Sequence, residues 1–226
     1  MRTYLLNHIN YLIYSLEKDN IWFPDPALAD EDGLLAVGGD LSPERLLLAY
    51  SHGIFPWFSD DTPILWYSPH DRFVLFPQNV KVSSTMKQVI RRKQFRVTSD
   101  QNFREVINAC AEMKREGQPG TWITAGMREA YIRLHQMGFA HSLEVWEKNQ
   151  LVGGLYGVRI NRVFCGESMF SKSSNASKFA LITLCQSAGF KMIDCQMHTP
   201  HLESMGAEYI SREEYLEILS QKTGSI

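Results

Sequence analysis

In the second half of the chain apolar and polar residues alternate. His141-Ser-Leu-Glu-Val-Trp146, Leu151-Val-Gly-Gly-Leu-Tyr-Gly-Val158 and Val163 to Phe170 repeat with a period of two, and Glu147-Lys-Asn-Gln150 and Arg159-Ile-Asn161 separate them as polar turns. Period two predicts strands, and two short turns in succession predict an antiparallel meander. The period then changes. Ser173-Ser174-Asn175 can cap a helix whose apolar positions Phe179, Ile182, Leu184, Cys185 and Ala188 lead to a stop at Gly189, and Lys191 to Met197 returns to strand. A strand–helix–strand crossover usually lays its two strands parallel and often adjacent.

The first half is more broken. Phe23-Pro-Asp-Pro26 and Val37-Gly-Gly-Asp-Leu-Ser-Pro43 are turn-rich and predict a compact, loop-rich unit. Ser42 as cap and Pro43 at the first helical position start a short helix through Tyr50, which Gly53 ends. Gly38-Gly39-Asp40 matches neither phosphate-loop spacing and reads as a tight turn. Phe73 to Phe76 predicts a strand. Ser84 to Lys93, Asn102 to Arg115 and Met127 to Met137 predict helices.

Two acids interrupt the apolar strands of the second half: Glu167 within Arg162-Val-Phe-Cys-Gly-Glu-Ser-Met-Phe170, and Asp194 within Lys191-Met-Ile-Asp-Cys-Gln-Met197. Burying a carboxylate costs several kcal/mol unless hydrogen bonds or counter-charges offset it. The crossover would bring the two together. Periodicity leaves open whether each pairs with a Lys or Arg or both mark a site. The aromatic cluster Ile54-Phe-Pro-Trp-Phe58 and Ile64-Leu-Trp-Tyr67 could line a ligand groove, although core packing is the usual use of Trp and Phe.

Composition narrows the class. With 44% hydrophobic and 21% charged residues in 226, the chain is expected to fold as a soluble globular protein. No uninterrupted apolar run approaches the roughly 20 residues of a membrane span. Met1 to Lys18 lacks a compact signal-peptide core, so a cytoplasmic address is expected. Cys110, Cys165, Cys185 and Cys195 form no Cys-x-x-Cys pair and read as reduced core thiols; no metal or cofactor is expected. The net charge is −2, yet Arg72, Lys81, Lys87, Arg91, Arg92, Lys93 and Arg96 follow one another between Asp71 and Asp100 without an acid. Charge alone leaves a phosphate contact and a solvated helix face both open.

The meander, helix and strand follow the core order of a GNAT-type acyltransferase, an analogy of fold that does not fix function. Taken in order, His52-Gly-Ile-Phe-Pro-Trp57, Gly120-Thr-Trp-Ile-Thr124, Leu151-Val-Gly-Gly-Leu-Tyr-Gly157, Phe164-Cys-Gly-Glu-Ser-Met-Phe-Ser171, Asn175-Ala-Ser-Lys178 and Ile193-Asp-Cys-Gln196 resemble the leucyl/phenylalanyl-tRNA–protein transferases. Gly33 to Pro43 adds to the match, which runs from about Trp22 to Leu219.

The resemblance implies an α+β protein with a small N-terminal domain, residues 1–70, and a GNAT-like catalytic domain, 71–226, with a mixed, mainly antiparallel sheet. It implies transfer of Leu, Phe or less readily Met from aminoacyl-tRNA to the α-amine of proteins starting with Arg or Lys, marking them for N-end-rule degradation. By the same resemblance Asp194 and Gln196 meet the attacking amine, Asp194 receiving or orienting the proton. Glu167 serves substrate binding, at an amino group or at the terminal adenosine. Phe164, Met169, Leu181 and Leu184 line the pocket for the transferred side chain, with Trp57 and Trp122 beside the adenosine or pocket. The basic segment then gains a partner in tRNA phosphates, with Lys87, Arg91, Arg92 and Lys93 as candidate contacts. A monomer is expected.

One position departs from the family pattern: Thr199 stands where better-known members carry Asn. Other readings fit less well. A CoA-dependent acyltransferase lacks its Gly-rich pyrophosphate loop in Ser171-Lys-Ser-Ser-Asn175, and Gly166-Glu-Ser-Met-Phe170 is not a serine-hydrolase elbow. A non-catalytic RNA-binding module would keep the basic segment and tolerate loss of Asp194.

Overall fold

Two sheets organise the chain in this computed structural model, which describes residues 4–6, 12–113, 121–187 and 189–221. The first is built from β1 (Tyr4–Leu6), β2 (Leu12–Leu16) and β3 (Leu34–Gly38), then, after helix α1 (Pro43–Ser51), from β4 (Phe55–Pro56) and β5 (Leu65–Tyr67). Their order is β1-β2-β3-β5-β4. The unit that composition presents as loop-rich thus holds a sheet. Its strands are only two to five residues long, too short for an alternating pattern to register. Helix α1 starts as expected: Ser42 accepts from the Arg45 amide and Pro43 fills the first position.

The second sheet begins with β6 (Asp71–Leu75). Helix α2 (Ser84–Arg91), β7 (Arg96–Ser99), α3 (Phe103–Glu112) and α4 (Ala125–Gln136) follow. The meander is β8 (Ala140–Glu147), β9 (Gln150–Ile160) and β10 (Val163–Ser171). The crossover is α5 (Ala176–Gln186) and β11 (Met192–Gln196), and α6 (Pro200–Ser204), β12 (Glu208–Ser211) and α7 (Arg212–Ser220) close the chain. The strand order is β12-β6-β11-β10-β9-β8-β7. β10 and β11 run parallel, and each other neighbouring pair runs antiparallel. The protein is therefore α+β with a mixed, mainly antiparallel sheet. The two edge strands, β7 and β12, have four residues each and gave no pattern of their own.

Helix α5 differs in detail from its expected caps. Asn175 stands at the N-cap but in a left-handed conformation, φ 70°, without a side-chain cap bond. Ser171 Oγ accepts the Ser177 amide instead, at 3.3 Å. The helix stops before Gly189 because Ser187 folds back, its hydroxyl donating to Leu184 O at 2.6 Å. Arg115, Gly120 and Ala188, which the sequence reading placed in elements or motifs, lie outside the described residues.

Side chains alternate across the large sheet, so each face carries its own core. On β9, Tyr156 and Val158 pack with Val106, Met127, Tyr131 and, from the first sheet, Trp66. Val152 and Leu155 face the other way, into a cluster with Met86 of α2 and Ala180 of α5. The glycines of β9 permit this close layering. A Cβ on Gly153 would meet Ala176 Cβ at 2.5 Å, and one on Gly157 would meet Cys165 O at 2.2 Å.

Candidate active site

The parallel pairing sets Cys165 of β10 opposite Asp194 of β11. Both strands then break register. Between Gly166 and Ser168 the ladder to β9 slips, leaving Glu167 as the extra residue. Between Asp194 and Gln196 the ladder to β6 slips as well, and Gln196 takes a positive φ of 60°. Bulges re-aim side chains, and strained backbone of this kind gathers at functional positions. Here they bring Gln196 Nε2 to 2.8 Å from Glu167 Oε1.

Glu167 is only 7% exposed. Tyr50 of α1 donates to Oε1 at 2.7 Å and Tyr131 of α4 donates to Oε2 at 3.0 Å. With the Gln196 amide, Oε1 has two donors and Oε2 one, which leaves one acceptor position on Oε2 unfilled among the described residues. The two phenols also hydrogen-bond each other. Burial pushes Glu167 up to about 7 against the three hydrogen bonds that pull it down, and the charge of Asp194 adds to the rise. Burial raises both phenols well above their ordinary value, so they stay protonated donors.

Asp194 is fully buried, 0% exposed, and fully engaged. Arg72 grips it with a two-pronged fork, Nε to Oδ1 and Nη2 to Oδ2, each at 2.9 Å. Tyr215 donates to Oδ2 and the Gln196 amide to Oδ1, both at 2.9 Å. These four donors take all four acceptor positions of the carboxylate. Arg72 likewise leaves the basic surface run: it is 2% exposed and its guanidinium lies 4.6 Å from the Phe55 ring and 4.5 Å from that of Tyr215.

Glu167, Asp194 and Gln196 form part of the wall of a cavity of about 390 Å³, a volume typical of small-ligand pockets. Every candidate side chain of the pocket reaches it: Phe164, Met169, Leu181 and Leu184 as apolar lining, with Trp57 and Trp122 also on the wall. Trp57 is 37% exposed, as a residue at a mouth should be. Sequence reasoning missed Tyr50, Tyr131, Arg72 and Tyr215, whose partners lie far away along the chain. Phe55, Leu155 and Ile193 are also on the wall.

Thr199 caps α6, its hydroxyl accepting the Leu202 amide at 3.2 Å. Asn is also a good N-cap, so this cap position would accept either residue. His201 lines the cavity, while His198 stacks on Tyr209 and bonds Glu203 at 3.0 Å. Among the described residues no group of His, Cys, Asp and Glu could hold a metal ion. No helix among them is long and apolar enough to cross a membrane. Lys87 and Arg91 of α2 and Arg92 and Lys93 just beyond it are exposed, without a carboxylate partner among the described residues.

Comparison with known proteins adds a name to this geometry. A family model described as leucyl/phenylalanyl-tRNA protein transferase matches residues 74–220, and one for the N-terminal domain of that transferase matches 39–70. A leucyl/phenylalanyl-tRNA–protein transferase from Flavobacterium johnsoniae is 53% identical over 93% of this chain and 100% of its own length. One from Christiangramia forsetii is 54% identical over 92% of this chain and 99% of its own. A solved GCN5-related N-acetyltransferase from Kribbella flavida aligns with 74% of this chain and 60% of its own at 8% identity and a TM-score of 0.35, too low to carry an argument. On the full-length identity and the match over 74–220, the chain belongs to the leucyl/phenylalanyl-tRNA–protein transferase family of aminoacyltransferases.

Proposed function

We propose that the cavity receives the aminoacylated 3′ end of Leu-, Phe- and, less readily, Met-tRNA. The amino acid passes to the α-amine of a protein beginning with Arg or Lys, marking it for N-end-rule degradation in the cytoplasm, and the chain acts as a monomer. One observation carries this reading: an apolar cavity whose wall holds a carboxyl with one open acceptor position and a pKa of about 7.

The ester of an aminoacyl-tRNA is already activated, so orientation and proton removal suffice. The neutral amine attacks the ester carbonyl, the C–N bond forms, and the C–O bond to ribose breaks as that oxygen takes up a proton. Glu167 receives the proton of the amine at the open position on Oε2. An α-amine near pKa ~8 and a carboxylate near 7 differ by about one unit, so the transfer costs only on the order of 1.4 kcal/mol. Gln196 holds Glu167 through its side chain. Asp194 acts one step back, as a positioning residue that fixes the strained backbone of Gln196 through its amide. This division gives Glu167 the contact with the amine. It moves Asp194 behind Gln196.

Phe164, Met169, Leu181 and Leu184 fit a side chain of the size of Leu, Phe or Met, and Trp57 and Trp122 offer faces for the terminal adenosine. Lys87, Arg91, Arg92 and Lys93 meet acceptor-stem phosphates, which predicts steep salt dependence and tolerance of tRNA sequence. The test is transfer of labelled Phe from Phe-tRNA to an Arg-starting peptide, beside its N-acetylated twin and a Gly-starting control. Labelling of the free Arg peptide alone supports the reading; equal labelling of the Gly peptide removes the acceptor assignment.

A further inference from the structure

A second cavity, of about 260 Å³, differs from the first in character. Lys81, Ser83, Lys178 and Ser204 line it over a floor that includes Met86 and Ile182. Among the described residues neither ammonium pairs with a carboxylate. Ser83 Oγ accepts the Met86 amide at 3.2 Å to cap α2, which leaves its own proton to donate. The first turn of α2 also presents amides without intrahelical partners, and the helix dipole there favours negative charge. The cavity therefore offers two cations, a hydroxyl donor and a helix start, and nothing anionic among its lining residues.

Its position is as informative as its chemistry. Helix α5 gives Leu181 and Leu184 to the first cavity, and Lys178 and Ile182 to the second. Helix α6 gives His201 and Leu202 to the first and Ser204 to the second. Burial, then the charge of Lys178, holds His201 below the ordinary histidine range, so that charge is felt at the wall of the first cavity. On the other side α2 leads from Ser83 and Met86 to the exposed Lys87 and Arg91. The second cavity thus shares α5 and α6 with the pocket and α2 with the basic surface.

We propose that this second cavity is a phosphate subsite for the single-stranded 3′ end of the tRNA, where Lys81 and Lys178 hold backbone phosphate within the last few nucleotides before the terminal adenosine. The assignment rests on the proposed function. It makes the tail itself a recognised part of the substrate, apart from the stem phosphates that the exposed face of α2 meets. The subsite also fixes the direction in which the strand enters.

Two minimal donors separate the sites: phenylalanyl-adenosine, which has no phosphate, and the phenylalanyl ester of the trinucleotide CpCpA. Both are offered with an Arg-starting peptide. The parent enzyme should prefer the trinucleotide by about tenfold or more in kcat/KM. Lys81→Gln and Lys178→Gln together should bring that ratio toward one and lower the slope of log kcat/KM against log salt by about 0.7 for each lost contact. Inorganic phosphate should inhibit use of the trinucleotide more than use of the adenosine ester. A ratio unchanged in the folded double variant overturns the subsite, as does phosphate inhibition equal for both donors. Failure of the parent enzyme to use Phe-tRNA at all sinks the transfer reading instead, so the two failures are told apart.

Discussion

Gln196 and Glu167 touch, 2.8 Å from amide nitrogen to carboxylate oxygen, because the two strands that carry them both break register at that point. Regular parallel pairing would have carried β10 and β11 onward without this contact. The bulges exchange ladder hydrogen bonds for a side-chain bond that ties Glu167 to Gln196. The left-handed backbone of Gln196 is held in turn by Asp194. A chain of fixed groups thus runs from Arg72 through Asp194 and Gln196 to Glu167.

Glu167→Gln keeps the shape of the side chain and removes its basicity. Transfer to an Arg-starting peptide should fall by about 10²–10³ in kcat, the usual weight of a general base. In the proposed role Glu167 acts in its ionised form, so the parent rate should rise as pH passes about 7. Single-turnover rates across pH 5.5 to 9 should show that limb in the parent and only the amine's own limb in the variant.

The same carboxyl leaves a mark on stability. Folding raises its pKa from 4.5 to about 7, so the native state binds the proton more tightly than the unfolded chain. The resulting stabilisation is fully present below 4.5 and is lost as pH rises through about 7, on the order of 3 kcal/mol in all. Urea unfolding at intervals from pH 4.5 to 7.5 should show stability falling in the parent and a flatter line for Glu167→Gln.

Tyr50→Phe and Tyr131→Phe each remove a hydrogen bond that lowers the pKa of Glu167. The pH–rate limb should therefore move to higher pH in each variant, while loss of a buried hydrogen bond costs about 1–3 kcal/mol of stability. A limb that stays in place would separate the phenols from the base.

Removing Arg72 alone strands a buried carboxylate. Arg72→Met should cost about 3–5 kcal/mol, and Arg72→Met with Asp194→Leu should regain most of that. The double variant should nevertheless stay slow, because the Gln196 amide has lost the acceptor that fixes it. Thermal unfolding and transfer rate measured on the same samples check both halves; recovery of rate with stability would reduce Asp194 to a structural counter-ion.

How far the sequence reached depended on the length scale of each pattern. The meander and the crossover declare themselves because eight to eleven residues of alternation, followed by a capped helix, leave little room for another reading. Short strands such as Phe55–Pro56 and Glu208–Ser211 carry no such signal. Glu167 and Asp194 stood out as acids in apolar runs, yet their partners did not. Tyr50 lies 117 positions from Glu167, and Arg72 lies 122 from Asp194. A buried Tyr at a helix end and an Arg at a strand start look ordinary along the chain; only folding shows what they face. The resemblance supplied the roles of the pocket residues and of Asp194, which periodicity alone left open.

The tyrosine pair around Glu167 carries a consequence for ancestry. Tyr50 comes from the portion that the N-terminal family model covers, and Glu167 and Tyr131 come from the larger one. A gene cut between them would encode two halves, one with a carboxyl missing a tuning phenol and the other with a phenol that tunes nothing. Lineages should keep both halves or lose both, because the larger half alone would lose Tyr50 together with the core packing that Trp66 and Leu46 share with it.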